Sequence, residues 1–104
     1  MFAVYAFAGQ HETVTMQCVP EDEKLPKLPQ TYDWRTINDQ VMVSRGSNIR
    51  VDTDKGVLEL REVTNLNSGQ YNCEAIFSDE DKTVYVHNVI GKCLLLTYIL
   101  LRIY

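Results

Sequence analysis

The chain has 104 residues, of which 45% are hydrophobic and 23% charged, so a single globular domain is expected and wholesale disorder is not. Ten basic residues against fourteen acidic ones give a net charge of -4, which lacks the basic stripe that a nucleic-acid backbone requires. No Gly-rich phosphate loop, nucleophile elbow or metal-spaced Cys/His cluster appears. We therefore expect a protein that is not an enzyme, with no cofactor, no metal and no nucleic-acid partner.

The amino-terminal residues 1–8, MFAVYAFA, are apolar but lack the basic start of a signal peptide and are too short for one. Gly9 then ends the run. We interpret this segment as an edge strand, with a remnant of a signal sequence as the alternative.

The middle of the chain shows short strands separated by turn residues, without a sustained helical period. Strands are predicted at residues 13–18, 32–35, 40–43, 49–51, 57–61, 71–77 and 83–87. Two prolines within residues 21–29 predict a polar loop there rather than a central strand. So many short strands in one small chain favour an antiparallel β-sandwich.

A set of spaced residues identifies the kind of sandwich. Cys18, Trp34 and Cys73 occur in the order Cys, Trp, Cys across the predicted strands. Tyr71 stands two residues before the second cysteine, where its hydroxyl can bond to the backbone just upstream. The runs LELREV, which contains Leu60, and SGQYNC complete the pattern. Over residues 3–90 the chain resembles immunoglobulin-like domains of the I-set type.

This resemblance implies an all-β fold, an antiparallel two-sheet immunoglobulin-like sandwich over residues 1–90. It also implies a disulfide between Cys18 and Cys73, with Trp34 packed against it and Leu60 and Tyr71 in the core signature. In the chain-entropy account, such a bond stabilises the domain by about 4 kcal/mol. All five residues are then structural and none belongs to an active site.

Residues 91–104 form a hydrophobic C-terminal tail of unusual composition. The stretch CLLLTYILL at 93–101 stops well short of the about 20 residues that span a membrane. Gly91, Lys92 and Cys93 can be encoded by GGT-AAG-TGT, which contains GTAAGT, the consensus start of a eukaryotic intron. Intron read-through, a truncated membrane segment and a genuine hydrophobic end stay open. Cys93 is the odd thiol, free to pair between chains if the tail is genuine.

A candidate binding face is expected on the sheet that carries the strands of Trp34, Cys73 and Val84. Apolar side chains rimmed by charges are typical of contact surfaces, although scattered surface apolar residues or packing against a neighbouring module would look similar. The outward positions of Asp33 and Asn72 lie in the same predicted set. The candidate face comprises Arg35, Ile37, Glu74, Ile76, Tyr85 and His87.

The resemblance implies a non-catalytic extracellular module, secreted or at the cell surface, within a larger multi-module protein. Its partners would be adhesion or matrix proteins, or neighbouring immunoglobulin modules. The runs YDWR and RGSN are also similar to modules of perlecan-type basement-membrane heparan sulfate proteoglycan cores, which would imply matrix assembly. The alternatives are an intracellular, mechanical module of the titin kind with reduced cysteines, and a small membrane-anchored receptor that requires a genuine tail.

Overall fold

A computed structural model describes residues 2–9, 11–21 and 23–91, so the expectations for Cys93 and for most of the C-terminal tail lie outside the described residues. Within these ranges the strands are β1 Phe2–Ala8, β2 Val14–Gln17, β3 Thr31–Thr36, β4 Ile49–Asp52, β5 Val57–Leu60, β6 Gly69–Ser78 and β7 Asp81–Gly91, with a 3-10 helix at Asn65–Asn67. None of the described residues forms a helix long and apolar enough to cross a membrane.

The strands form two sheets, one of order β1-β7-β6-β3 and one of order β2-β5-β4. Every neighbouring pair is antiparallel except β1 and β7, which run parallel. Burial alternates along β2 and β6 because successive side chains of a strand point to opposite faces. The predicted all-β, two-sheet sandwich is confirmed, and the amino-terminal segment is its parallel edge strand.

The strand predicted at residues 40–43 is absent from the strands of the structure. Residues 40–43 contribute a single isolated bridge, between Val41 and Arg35 of β3. A second isolated bridge joins Arg45 to Ile49 of β4, which belongs to the other sheet. The segment therefore crosses between the sheets, and a chain that changes sheets within a few residues cannot continue a ladder with either one.

The core lies between the sheets around a covalent bond. Cys18, directly after β2, is bonded to Cys73 of β6, with their Cα atoms 5.5 Å apart. Trp34 of β3 is the cross-strand neighbour of Cys73, and both are fully buried. Leu58 and Leu60 of β5 close the cluster from the other sheet. The predicted disulfide is confirmed, and it links the two sheets at their centre.

A hydrogen bond from Tyr71 of β6 links that strand to the turn that precedes it. Its hydroxyl donates a hydrogen bond of 2.7 Å to the backbone carbonyl of Asn67. The side-chain carbonyl of Asn67 in turn accepts a 2.8 Å bond from the backbone N–H of Thr64. These bonds satisfy polar groups where the chain turns from β5 to β6, and they set the start of β6.

The hairpin between β6 and β7 contains a change of register. Ser78 pairs with Asp81, but Ile76 pairs with Lys82, so β6 has one extra residue, Phe77. A shift of one residue exchanges the inward and outward sides of a strand. The faces of β7 are therefore opposite to those that a regular hairpin would produce.

The shifted register reverses two of the expected binding residues. Tyr85 lies opposite Cys73 and His87 lies opposite Tyr71, so both side chains point into the core. Tyr85 is 0% exposed and His87 is 2% exposed. The prediction that they belong to the outward face is therefore wrong, because alternation along β7 alone does not show the bulge that precedes it.

His87 is a buried titratable group beside the disulfide. Its Nε2 lies 3.0 Å from the backbone carbonyl oxygen of Cys18, so Nε2–H donates a hydrogen bond there. Its ring lies 4.9 Å from the Trp34 ring at an interplanar angle of 59°. Among the described residues, Nδ1 has no hydrogen-bond partner. Burial lowers the pKa of His87, and the bond to Cys18 offsets this only in part.

The turn before β5 fits closely against β3. Gly56 has a φ of 70°, and a Cβ atom built on it would lie 2.7 Å from the ring of Tyr32. Its carbonyl accepts a 2.7 Å hydrogen bond from the N–H of Cys18. Only glycine meets both the backbone conformation and the close approach.

Replacement of Gly56 by alanine tests this fit. We expect Gly56→Ala to lower the free energy of unfolding by about 2–3 kcal/mol, because it adds a steric clash to left-handed strain. Gly46→Ala is the matched control, since Gly46 has a φ of 59° but no heavy atom within 4 Å of a built Cβ. Its expected loss is about 1 kcal/mol. Urea unfolding of both variants measures the difference, and equal losses would contradict the fit.

The environment of His87 predicts a loss of stability in mild acid. The unfolded histidine takes up a proton near its ordinary pKa of about 6.5, while the buried ring resists protonation at Nδ1. The unfolded state then binds more protons, so the free energy of unfolding is full above about pH 7.5 and falls as the pH drops below 6.5, by at most about 1.4 kcal/mol per pH unit.

Urea unfolding between about pH 7.5 and pH 5.5 measures this slope. His87→Asn should flatten the curve. His11→Asn is the control, because it removes the other histidine of the chain, which is exposed beside Glu62. A His87→Asn curve as steep as that of the wild type would disprove the assignment.

Candidate protein-contact face

The outward side of the four-stranded sheet brings together charged and apolar side chains from three strands. Asp33 of β3 lies opposite Glu74 of β6, which lies opposite Val84 of β7. Paired residues share a face, so these three form one row across the sheet. Ile76 and Arg35 occupy the neighbouring rows. We define the Arg35 face as Asp33, Arg35, Glu74, Ile76 and Val84.

Arg35 is the centre of an ion-pair cluster on this face. Its Nη2 lies 3.7 Å from Oδ2 of Asp33, its Nη1 3.4 Å from Oδ1 of Asp39, and its Nε 3.6 Å from Oε2 of Glu74. The Arg35 side chain is only 23% exposed, and the carboxylates of Asp33 and Glu74 are similarly covered. One positive charge thus stands among three negative charges, which leaves the cluster acidic.

The contacts between Arg35 and the three carboxylates are long, so the carboxylates can still bind another molecule. Charge-assisted hydrogen bonds usually measure about 2.7–2.9 Å, and all three contacts of Arg35 are longer. The carboxylate oxygens of Asp33 and Glu74 therefore keep capacity to accept hydrogen bonds from another molecule. Ile76 and Val84 border them and supply apolar area. An acidic, partly apolar surface of this kind suits a partner that presents basic and apolar side chains.

The structure brings together three of the six predicted face residues. Arg35, Glu74 and Ile76 point outward from β3 and β6 as expected. Ile37 is exposed but lies in the turn that follows β3, outside the sheet. Tyr85 and His87 belong to the core.

Sequence reasoning missed Val84 and Asp39. Val84 was not among the predicted face residues, and the bulge in the hairpin places it outward, at 38% exposure. Asp39 reaches Arg35 because the turn after β3 brings it back along the strand, where its φ is 64°. Residues four apart in a strand are not neighbours, so the spacing of Arg35 and Asp39 does not predict their contact. The contact depends on the turn after β3.

Within residues 2–9, 11–21 and 23–91, no three His, Cys, Asp or Glu side chains are grouped as ligands for a metal ion.

Comparison with known proteins supports the fold. No protein-family model matches the sequence, and no curated protein matches it. The chain is similar to the first Ig-like domain of human CD48 antigen, with a TM-score of 0.63, 18% identity and coverage of 86% of this chain and 83% of that one. For the M1 domain from titin the TM-score is 0.62, with 17% identity and coverage of 88% and 91%.

The CD2-binding domain of CD58 is also similar, with a TM-score of 0.56, 18% identity and coverage of 85% of this chain and 54% of that chain. Identities this low leave the sequence families unresolved, but the agreement in structure extends over most of the chain. This structural agreement, together with the central disulfide, the buried Trp34 and the hydrogen bond from Tyr71 to Asn67, shows that this protein has the immunoglobulin-like fold.

Proposed function

We propose that this chain is a non-catalytic, extracellular immunoglobulin-like module that binds another protein through its Arg35 face. The observation that carries the proposal is the partly buried Arg35 among three carboxylates, bordered by Ile76 and Val84 on an outward sheet surface. Fixed charges beside apolar area give both orientation and contact energy to a protein interface.

The disulfide bond in the core supports an extracellular location. Disulfides form and persist in oxidising compartments and are rare in the cytosol. Cys18 and Cys73 stand at bonding distance at the centre of the sandwich, and this bond links the two sheets. The similarity to a cell-surface antigen and to a CD2-binding domain agrees with a role in adhesion. The finer resemblance to basement-membrane proteoglycan modules stays a prediction.

The second candidate is an intracellular module with a mechanical role. It is favoured by the similarity to the M1 domain from titin, which extends over 88% of this chain. In such a module the two cysteines would remain reduced and the Arg35 face would have no partner. A membrane-anchored receptor is a third possibility and depends on residues 92–104, which lie outside the described residues.

Counting free thiols separates the first two candidates. The chain has three cysteines. In protein taken from its native cells and alkylated before reduction, we expect Cys18 and Cys73 to be unmodified, and both to become reactive after reduction. Peptide mass spectrometry identifies the labelled sites. Labelling of Cys18 and Cys73 without reduction would instead favour the intracellular candidate.

Binding through the Arg35 face is tested with tetramers of the biotinylated chain on streptavidin, applied to a panel of adherent and blood cell types. We expect the wild type to stain at least one cell type. Ile76→Lys should lower the staining about tenfold or more, because it places an unpaired charge in the contact. Tyr85→Ala is not a surface test, since removal of a buried aromatic ring destabilises the fold by about 3–5 kcal/mol.

Leu66→Lys is the matched control. Leu66 is almost fully exposed in the 3-10 helix, away from the face, and its replacement makes the same change of charge. Its staining should equal that of the wild type, and the melting temperatures of both variants should stay close to it. Equal staining by wild type and Ile76→Lys would contradict binding through this face.

A further inference from the structure

Two carboxylates stand side by side on the Arg35 face, and we call Asp33 and Glu74 the carboxylate pair. Asp33 of β3 and Glu74 of β6 are in register, so their side chains leave the sheet next to each other. These side chains are only 30% and 22% exposed. Like charges directly opposite each other on neighbouring strands destabilise a sheet. A cation bound on the outer side of the sheet would therefore offset an unfavourable feature of the fold.

Arg35 supplies only part of the compensating charge, because its hydrogen bonds go to another residue. Its Nη1 donates to the backbone carbonyl of Asp39 at 3.3 Å and to the Asp39 carboxylate at 3.4 Å. Its contacts with Asp33 and Glu74, at 3.7 and 3.6 Å, are too long for hydrogen bonds. Its buried Nε has no hydrogen-bond partner within the part of the chain that the structure describes. Among those same residues, no group donates a hydrogen bond to the carboxylate pair.

Apolar side chains border the carboxylate pair. Val84 of β7 lies opposite Glu74, and Ile76 lies two residues further along β6 on the same side of the sheet. Lys82 lies opposite Ile76, but among the described residues it forms no ion pair with either carboxylate. A long cationic side chain can place its methylene groups on an apolar border while its charged end reaches the carboxylates. The arrangement therefore fits a cation that is carried on an aliphatic stem.

We propose that the carboxylate pair binds an arginine side chain of the partner protein. A guanidinium group has five N–H donors in a rigid plane, so one group can donate to both carboxylates at once. It is also more weakly hydrated than the ammonium group of lysine, which suits carboxylates that are only partly exposed. The inference rests on the proposed function, because it names the chemical group that the Arg35 face would bind.

The charge of the face argues against a second copy of this chain as the partner. An identical face would bring Asp33, Asp39 and Glu74 against the same three carboxylates, and like charges across an interface oppose binding. The cation of that cluster, Arg35, is already bonded to Asp39 of its own chain. The partner is therefore a different protein, with an exposed arginine beside apolar side chains.

Tetramer staining with two near-isosteric variants tests the role of the carboxylate pair. Asp33→Asn and Glu74→Gln should each lower the staining of cells that bind the wild type about tenfold or more, because each removes one ionised acceptor from the guanidinium group. Asp54→Asn is the matched control, since Asp54 is exposed in the turn before β5 of the other sheet and loses the same charge. Its staining should equal that of the wild type.

The outcomes separate this inference from the proposed function. Wild-type staining that is lost in Ile76→Lys but kept in both Asp33→Asn and Glu74→Gln would overturn the arginine site and leave binding through the face intact. A wild type that stains no cell type would overturn both.

Melting curves of the same variants give a readout that needs no partner. Because the two charges oppose each other, Asp33→Asn and Glu74→Gln should leave the melting temperature unchanged or raise it by about 1–4 °C. A fall in both melting temperatures would show that Arg35 already satisfies the carboxylate pair, and the proposal would then be wrong.

Chemical blocking of the stained cells identifies the cation of the partner. The cells are treated with p-hydroxyphenylglyoxal, which blocks arginine, or with N-hydroxysuccinimide acetate, which blocks lysine, and the reagent is washed away before the wild-type tetramer is added. We expect the arginine reagent to lower the staining about tenfold or more and the lysine reagent to leave it within about twofold. Loss of staining after lysine blocking alone would contradict the assignment to arginine.

Discussion

The disulfide bond between Cys18 and Cys73 joins the two sheets inside the buried core, and the other core residues pack around it. Trp34 lies beside Cys73 on the neighbouring strand, and Leu58 and Leu60 approach from the opposite sheet. A domain of this size buries a limited apolar core, so a covalent link between its layers contributes a large share of the stability. His87 adds a polar group to this centre, where its hydrogen bond to the carbonyl of Cys18 supports the neutral ring.

The extra residue in the β6–β7 hairpin determines which side chains serve the core and which serve the surface. Because of the shift at Phe77, Tyr85 and His87 fill the interior, and Val84 faces outward beside Glu74. A regular hairpin would have exposed an aromatic ring and an imidazole on the Arg35 face and would have buried Val84. The bulge therefore buries His87, on which the expected acid sensitivity of the core depends. It also removes the Tyr85 and His87 rings from the outward surface, which leaves that surface more acidic.

The Arg35 face uses side chains held by paired strands, so its geometry is fixed before a partner arrives and its acidic charge selects for a basic partner.

The sequence by itself determined the class of fold, the disulfide, the burial of Trp34 and the edge position of the amino-terminal strand. The class of fold and the edge strand follow from local alternation, whereas the disulfide and the burial of Trp34 are implied by the resemblance to immunoglobulin-like domains. It also placed Arg35, Glu74 and Ile76 outward, because β3 and the first part of β6 are regular. Only the tertiary structure decided the faces of β7, the reach of Asp39 to Arg35 and the path of residues 37–45. Each of these depends on a bulge, a left-handed turn or a crossing between sheets, and such features alter the geometry without altering the pattern of apolar and polar residues.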